Sequence, residues 1–268
     1  MADAAPLPEV DASRPHPVRV YNYWLGGKDH FAADRELGDA MAVELPSLMV
    51  IARAHRRFME RAIRYLAGPA GLTQFVLLGS GLPTTYNLHQ AAQEVEPAAR
   101  VVYVDNDPVV AAHSRALLVS DVKGAVSFVM GDLADPAALL ADPILTDALD
   151  LRMPVAVALS STLMKHSDES ARRILDVLLD RLVAGSHVVL THPTADFDAD
   201  AVTRAMGVGQ AAGFHQSARS QSEVEALFAG MCLVEPGVVP ILSWRPGPLD
   251  ALRDPRSVHL LGGVGRLP

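Results

Sequence analysis

The sequence predicts an α/β protein built on a doubly wound, mostly parallel sheet of seven strands. From residue 74 to residue 192, short apolar runs alternate with helical stretches, which is the pattern of a repeated β-α unit. The runs consist of Val, Ile and Leu without polar alternation, as expected for strands that helices cover on both faces. Two later segments, 232–244 and 257–267, are close enough to pair as a terminal hairpin, so we expect one strand to run antiparallel.

The N-terminal part is predicted to be helical after a mobile arm. Four prolines in residues 1–17 remove backbone donors and indicate the arm, and residues 18–268 are expected to form one domain, with 18–68 as an N-terminal lid and helices. Apolar spacing predicts two helices between Phe31 and Leu66, separated near Pro46. Arginines at positions 53, 57, 61 and 64 share one face of the second helix. A solvated face is the favoured interpretation, and an anionic substrate or partner is the alternative.

The strands and helices of the β-α region follow in order from the same patterns. The predicted strands are QFVLLG, RVVYVD, AVSFVMGD, PVAVALS and SHVVLTH. The predicted helices span 84–95, 108–120, 136–149, 168–184 and, near the hairpin, 222–230.

Composition excludes several classes of function. The chain has 268 residues, half of them hydrophobic, which is enough for a large core and excludes disorder for most of its length. The net charge of -8 and the 5% aromatic content argue against a nucleic-acid partner. Apolar runs stay below the roughly 18 residues of a membrane span. We therefore expect no membrane anchor and no signal peptide. The single Cys232 calls for no oxidising compartment, so a cytoplasmic location is expected.

A glycine turn, residues 79–84, follows the first predicted strand. Gly79 and Gly81 allow a sharp turn and a close approach to a ligand at the start of a helix. Thr84 occupies the place of a third fingerprint glycine and Pro83 lacks an N–H, so a pyrophosphate cradle is disfavoured. An ordinary turn between strand and helix is the alternative.

Acidic residues follow the second and third predicted strands. Asp105 is placed to accept both ribose hydroxyls of a nucleoside, while Asp107 is placed to cap the next helix. Asp132 can accept the adenine amino hydrogen and Leu133 can pack on the ring, although a helix cap ahead of Pro136 explains Asp132 equally well. Together with the glycine turn, these residues indicate a nucleoside ligand without phosphates, and S-adenosylmethionine is the commonest such cofactor.

Blocks of sequence spread over nearly the whole chain carry a family resemblance. They are PVRVYNYWLGGKDHFAADR, FVLLGSGLPT, RVVYVDNDPVV, GSHVVLTHPTAD, LVEPGVVPILSWRP and GGVGRLP. In these blocks the chain resembles the actinobacterial S-adenosyl methyltransferases of the domain-of-unknown-function 574 group. The resemblance implies a Rossmann-like class I methyltransferase fold, S-adenosyl-L-methionine as cofactor, and an N-terminal lid over it.

The resemblance also implies roles for individual residues. The glycine turn would line the methionine part of the cofactor, Asp105 and Asn106 the ribose, and Asp132 and Leu133 the adenine. The block from Tyr21 to His30 would form the closing lid segment, and a plain glycine turn there is the alternative. The implied cofactor-binding residues are Tyr21, Tyr23, Gly26, Gly79, Ser80, Gly81, Pro83, Thr84, Asp105, Asn106, Asp132, Leu133 and Ser160.

Three places depart from the family pattern. Leu77 stands where the family has an acidic residue, two positions before the first glycine, and the loss of that carboxylate predicts roughly tenfold to hundredfold weaker cofactor binding. Residues 163–168, LMKHSD, replace the family's Leu-His-Phe and the Pro-Asp that follows it, which indicates a rebuilt floor of the reaction pocket. In the lid, Asn22 and His30 replace Asp and Asn.

Methyl transfer requires alignment of the acceptor atom with the methyl group and exclusion of water more than it requires a base. Where an acceptor must lose a proton, histidines near strand ends are the candidates, namely His166, His192 and, in the lid, His30. We take His166 and His30 as candidate catalytic residues, with ordinary surface or hydrogen-bonded histidines as the alternative. Neither histidines nor carboxylates show the spacing of metal ligands, so no metal site is expected.

Three functions remain open from the sequence. The first is a methyltransferase for a small molecule, a secondary metabolite by the family's source. The second is an enzyme that keeps the fold and cofactor pocket but catalyses cyclisation or rearrangement, and the third is a non-catalytic binding protein. We expect a small-molecule acceptor as the partner, and neither nucleic acid nor a membrane. A homodimer is left open, as is the identity of the acceptor.

Overall fold

The computed structural model of the protein describes residues 10–268. Of the predicted arm, residues 1–9 lie outside the described residues, and the first helix already begins at Pro17. The N-terminal helices are α1 (Pro17–Leu25), α2 (Ala32–Glu44) and α3 (Leu48–Ala67). The break between α2 and α3 falls at Pro46, as predicted. No helix in residues 10–268 is long and apolar enough to cross a membrane.

A single mixed sheet forms the centre of the described part of the chain. Its strands are β1 (Gln74–Leu78), β2 (Arg100–Asp105), β3 (Ala125–Met130), β4 (Ala156–Ser160), β5 (His187–Pro193), β6 (Cys232–Leu233), β7 (Val239–Pro240) and β8 (Leu260–Arg266). The strand order is β3-β2-β1-β4-β5-β8-β6, and β7 also pairs with β8. The strands from β1 to β5 pair in parallel, and β8 runs antiparallel to β5. The predicted doubly wound, mostly parallel sheet is confirmed.

Near the C-terminus the sheet differs from the prediction in one detail. The segment 232–244 was expected to form one strand, but it forms the two-residue strands β6 and β7, and both pair with β8. Between them the chain turns at Gly237, whose φ of 87° lies in the left-handed region. The antiparallel pairing of this segment with β8 is confirmed.

The later helices cover the two faces of the sheet. They are α4 (Leu88–Gln93), α5 (Pro108–Leu117), α6 (Pro136–Leu140), α7 (Pro143–Ala148), α8 (Asp168–Leu179), α9 (Ala199–Ala211), α10 (Gln221–Ala226) and α11 (Pro248–Ala251). The helix predicted over 136–149 is two helices, because Asp142 caps a new one by accepting hydrogen bonds from the N–H groups of Ile144 and Leu145. Helix α4 begins later than predicted because Asn87 and Gln90 form a capping box at its start.

Strand β1 separates two apolar cores. Phe75 and Leu77 pack on the side of α3, whereas Val76 and Leu78 pack on the opposite side, beneath α8. This alternation follows from the two-residue period of a strand. The chain leaves β1 towards β2 and β3 and returns through β4 on its other side, so the strand order reverses between β1 and β4. In sheets of this kind, ligands bind at the carboxyl ends of the strands beside that reversal.

Candidate active site

A cavity of about 340 Å³ lies at the carboxyl ends of β1 to β4. This volume is in the range of small-molecule sites. Its sheet side consists of residues that directly end or follow the strands. They are Gly79, Ser80, Gly81, Asp105, Asn106, Asp107, Gly131, Asp132, Leu133, Ser160, Ser161, Thr162, Met164, Lys165 and His166.

The opposite side of the cavity is formed by helices and is largely apolar. We call this part the apolar chamber. It consists of apolar residues from α1, from α2 and the residue after it, from α3, from α9 and from the segment after α9, namely Val20, Trp24, Met41, Leu45, Leu48, Ile51, Val202, Ala205, Met206 and Phe214. Tyr21, His55 and Gln216 add polar atoms on the same side of the cavity. The cavity therefore combines a polar half on the sheet with an apolar half under the helices.

The glycine turn after β1 brings the backbone close to the cavity. Gly79 and Gly81 have φ values of 67° and 66°, which side chains disfavour. A Cβ atom at Gly79 would lie 1.9 Å from Cγ2 of Thr162 in the segment after β4. The N–H groups of Gly79 and Ser80 both donate to the carbonyl oxygen of Val104, which fixes the turn to β2. Only glycine at position 79 allows the two strand ends to approach this closely.

Asp105 occupies the centre of the polar half. It is 7% exposed, and its two carboxylate oxygens accept hydrogen bonds from the N–H of Gly81 (2.9 Å) and the N–H of Asp107 (3.1 Å). Burial raises the pKa of Asp105 above its usual value, and the two backbone N–H donors oppose that rise. The carboxylate is thus held in one orientation at the cavity wall.

The two neighbouring acidic residues have different roles. Asp107 caps α5 by accepting a hydrogen bond from the N–H of Val109 (2.7 Å), as predicted, and it also lies 3.2 Å from Nδ1 of His16. Asp132 does not cap α6, since Asp135 does so. That alternative for Asp132 was wrong. Asp132 instead accepts a hydrogen bond from the N–H of Ala134 (2.9 Å) in the turn after β3, and a longer one from Nδ2 of Asn106 (3.4 Å) across the ends of β2 and β3.

A buried polar network that sequence reasoning missed supports the segment after β4. His55 of α3 contacts the hydroxyls of Tyr21 (2.9 Å), Thr191 (3.0 Å) and Ser160 (3.3 Å). Thr191 also accepts a hydrogen bond from the N–H of Ser161 (2.9 Å), whose φ of 56° is unusual for a residue other than glycine. Burial lowers the pKa of His55 to about 4, so the ring is neutral at pH 7. In the sequence, this network could have been inferred from the position of His55 on the apolar face of α3.

Arg219 holds the segment that contains His166. Its guanidinium donates to the backbone oxygens of Leu163 (3.2 Å) and His166 (2.9 Å) and to the carboxylate of Asp168 (2.8 Å), and it also contacts Nε2 of His192. His192 is fully buried, and burial lowers its pKa to about 4. His166 lines the cavity and is half-buried, and burial lowers its pKa below the usual value. Of these two histidines, His166 is the one that reaches the cavity.

Several residues predicted for the site do not line the cavity within residues 10–268. They are Tyr23, Gly26, His30, Pro83 and Thr84, whereas the other predicted cofactor-binding residues and His166 do line it. The ring nitrogens of His30 contact the carbonyl oxygen of Gly27 (3.1 Å) and the guanidinium of Arg35 (3.3 Å). His30 thus belongs to the loop between α1 and α2. Thr84 hydrogen-bonds locally to Asn87 and Tyr86.

The residues of the polar half fit a nucleoside cofactor with a cationic end. Three carboxylates, those of Asp105, Asp107 and Asp132, line the cavity against the single Lys165. The hydroxyl oxygens of Ser80 and Thr162 are buried at its wall without a hydrogen-bond partner in the described chain, so both can serve a ligand. No cluster of metal ligands occurs in the part of the chain that the structure describes. Leu77 is 3% exposed and packs in the core rather than at this cavity.

Comparison with known proteins agrees with this geometry. The profile of a family described as S-adenosyl methyltransferase matches residues 3–268. The chain is similar to a DUF574 family protein from Streptomyces avermitilis, with 41% identity over 96% of this chain and 99% of that one and a TM-score of 0.93. A protein from Thermobifida fusca shows 38% identity over 95% and 96% of the two chains, with a TM-score of 0.87. Human N-acetylserotonin methyltransferase, solved with S-adenosylmethionine, shares the fold at 12% identity, with 95% and 63% coverage and a TM-score of 0.50. The search of curated proteins gives no match.

Proposed function

The chain belongs to the S-adenosyl methyltransferase family, and from that premise we propose that it methylates a small-molecule acceptor of secondary metabolism. The enzyme uses S-adenosylmethionine, as the family does. The observation that supports a small acceptor is the cavity itself, in which a polar half at the strand ends adjoins an apolar chamber covered by α1, α2, α3 and α9. The acidic net charge of -8 argues in the same direction, against a nucleic-acid acceptor.

On the cofactor side, we assign the binding roles to the strand ends. Asp105 would accept the ribose hydroxyls, since each of its oxygens already has one backbone donor and keeps a free acceptor position. Asp132 and Leu133 would contact the adenine. The glycine turn and the free hydroxyl of Ser80 would hold the methionine part. When bound, the cofactor supplies an electrophilic methyl group, whose bond to the sulfonium sulfur breaks as the bond to the acceptor forms.

On the acceptor side, the chain's own residues orient the acceptor and exclude water. The apolar chamber would hold the body of the acceptor, and the helices above it would keep water from the methyl group. His166 would take the acceptor's proton at a ring nitrogen, because its lowered pKa leaves it neutral at pH 7. His30 is absent from this assignment because its nitrogens are occupied in the loop between α1 and α2.

A methyl-labelled cofactor tests the proposed acceptor class. The purified enzyme would be incubated with labelled S-adenosylmethionine and, in parallel, with a panel of uncharged and charged small molecules, a protein mixture and a nucleic-acid mixture. We expect the label to appear in a small molecule. Label in protein or nucleic acid alone would overturn the proposal.

Two variants separate binding from chemistry in that assay. Asp105→Ala should abolish the binding of S-adenosylhomocysteine measured by calorimetry, and transfer with it. His166→Gln should lower the turnover of a proton-releasing acceptor by about 10²-fold while S-adenosylhomocysteine still binds. Unchanged affinity in Asp105→Ala would reject the ribose assignment, and unchanged turnover in His166→Gln would reject the base.

A further inference from the structure

The charges around the cavity are unevenly distributed. Every Asp and Lys side chain that lines it belongs to a residue that ends or follows a strand, namely Asp105, Asp107, Asp132 and Lys165. The α-helices of the described chain contribute no Asp, Glu, Lys or Arg to its lining. The apolar chamber thus has no formal charge on its own walls.

Two ion pairs join the helices around the chamber. Arg19 of α1 is 7% exposed and donates to the fully buried Asp34 of α2 at 2.8 Å. Arg204 of α9 pairs with Glu44 of α2 at 2.7 Å. A charged group of a ligand inside the chamber would therefore lose its water without gaining a counter-ion from these pairs.

The chamber walls are suited to an apolar body of variable shape. Met41 and Met206 are flexible and polarisable, and such side chains adapt to irregular ligands. Trp24 and Phe214 offer flat aromatic surfaces. The indole N–H of Trp24 already donates to the carbonyl oxygen of Gly38 at 3.3 Å, so its polar end is satisfied by the protein.

We propose that the acceptor is an uncharged, predominantly apolar molecule whose body occupies the apolar chamber and whose methyl-accepting oxygen or nitrogen faces the strand ends. This inference rests on the proposed function and narrows it to one substrate class. Besides the strand ends, the cavity offers uncharged polar groups at Gln216, in the segment after α9, and at His259, whose Nδ1 is buried without a hydrogen-bond partner in residues 10–268.

A pair of fluorescent probes tests the charge preference of the chamber. Neutral N-phenyl-1-naphthylamine and anionic 8-anilinonaphthalene-1-sulfonate would be titrated into the protein, with and without saturating S-adenosylhomocysteine. We expect one saturable site for the neutral probe, with the anionic probe binding at least about tenfold more weakly. Equal or tighter binding of the anionic probe with S-adenosylhomocysteine present would overturn the proposal.

Variants of α9 locate that site. Met206→Lys places a cation in the chamber and should reverse the preference in favour of the anionic probe. Gln210→Lys is the matched control, because Gln210 is exposed on the same helix and does not line the cavity, and it should leave both affinities unchanged. If Met206→Lys does not fold, Ala205→Phe adds volume without charge and should weaken the neutral probe about tenfold.

The outcomes distinguish the two proposals. An unchanged neutral-probe affinity in both chamber variants would show that the probe binds elsewhere, and would reject the chamber as its site. Calorimetry with S-adenosylhomocysteine is independent of the chamber. If the cofactor product binds but the neutral probe does not, the acceptor class is wrong while the proposed function stands. If the probe preference is found but labelled methyl reaches only protein or nucleic acid, the proposed function fails.

Discussion

At the scale of single residues, burial and backbone hydrogen bonds have opposite effects on the ionised form of Asp105. Its burial disfavours the ionised carboxylate and raises its pKa, while the N–H groups of Gly81 and Asp107 fix both oxygens in place. In the free protein, a raised pKa means that this carboxyl lowers stability once it ionises. The two remaining acceptor positions match the two hydroxyls of a ribose, so a bound nucleoside would offset that cost.

The raised pKa of Asp105 predicts how cofactor affinity depends on pH. Ribose hydroxyls donate to the ionised carboxylate, so its pKa is lower in the complex than in the free protein. We expect the affinity for S-adenosylhomocysteine to be constant near neutral pH and to fall, by at most about tenfold per pH unit, below the pKa of Asp105 in the free protein. Calorimetric titrations at decreasing pH, with folding checked by circular dichroism, measure the slope.

Two variants, one at Asp105 and one at the neighbouring Asp107, complete this experiment. Asp105→Asn should lower the affinity for S-adenosylhomocysteine at neutral pH and should remove the decrease in affinity at low pH. Asp107→Asn should keep the dependence, because Asp107 caps α5 and its role in the helix does not require a ribose. A wild-type affinity that stays constant on acidification would contradict the assignment, as would an unchanged slope in Asp105→Asn.

At the scale of secondary-structure elements, the arginine face of α3 shows what sequence spacing can and cannot predict. The spacing of Arg57 and Arg61 correctly placed them on one face, and the sequence offered a solvated face or an external anion as their role. In the structure both donate to Asp250, which lies 193 positions after Arg57 and whose side chain is 1% exposed. Arg61 also donates to the carbonyl oxygen of Ile241 at 2.8 Å. Local periodicity cannot predict a contact between residues that are so far apart in the sequence.

This buried ion pair predicts a large effect on stability. Asp250→Ala leaves the guanidinium groups of Arg57 and Arg61 partly buried without their anion, so we expect the free energy of unfolding to fall by about 3 kcal/mol. The matched control is Glu94→Ala, which removes the exposed pair with Arg64 and should cost below about 1 kcal/mol. Urea denaturation followed by circular dichroism measures both. Equal losses in the two variants would show that the Asp250 contacts do not hold the C-terminal segment onto α3.

Other secondary-structure elements show which features a local sequence pattern predicts and which it does not. The strands β1 to β5 were predicted because buried parallel strands have continuous apolar runs. Helix α9 was not predicted, since residues 199–211 are rich in alanine and glycine and carry few large apolar residues. Its Gly209 faces Met41 of α2, where a Cβ atom would lie 3.4 Å from Cε, in ordinary van der Waals contact. Because α9 provides Val202, Ala205 and Met206, this part of the apolar half of the site could not be predicted from the sequence, whereas the strand-end half could.

At the scale of the whole molecule, the N-terminal helices form a cover over the strand ends. Pro17, Val18, Val20 and Tyr21 of α1 line the cavity, and Val18 lies 4.0 Å from the place of a Cβ atom at Gly81. His16, at the start of α1, contacts Asp107 at the strand ends, whereas Tyr21 of α1 contacts His55 of α3. A bound ligand between cover and sheet would add contacts to both, which supports the proposed role of residues 18–68 as a lid.

The lid role predicts a specific pattern of hydrogen exchange. S-adenosylhomocysteine should slow amide exchange in residues 18–25 and in the glycine turn, because ligand contacts make the opening of both segments less favourable. Helices α6 and α7 serve as the internal control, since neither lines the cavity, and their exchange should stay unchanged. In the Asp105→Ala variant, which lacks the ribose contact, S-adenosylhomocysteine should leave amide exchange in these segments unchanged. Protection confined to the strand-end loops, with none in residues 18–25, would show that α1 is a fixed wall of the cavity, and the entry route for cofactor and acceptor would then have to lie elsewhere.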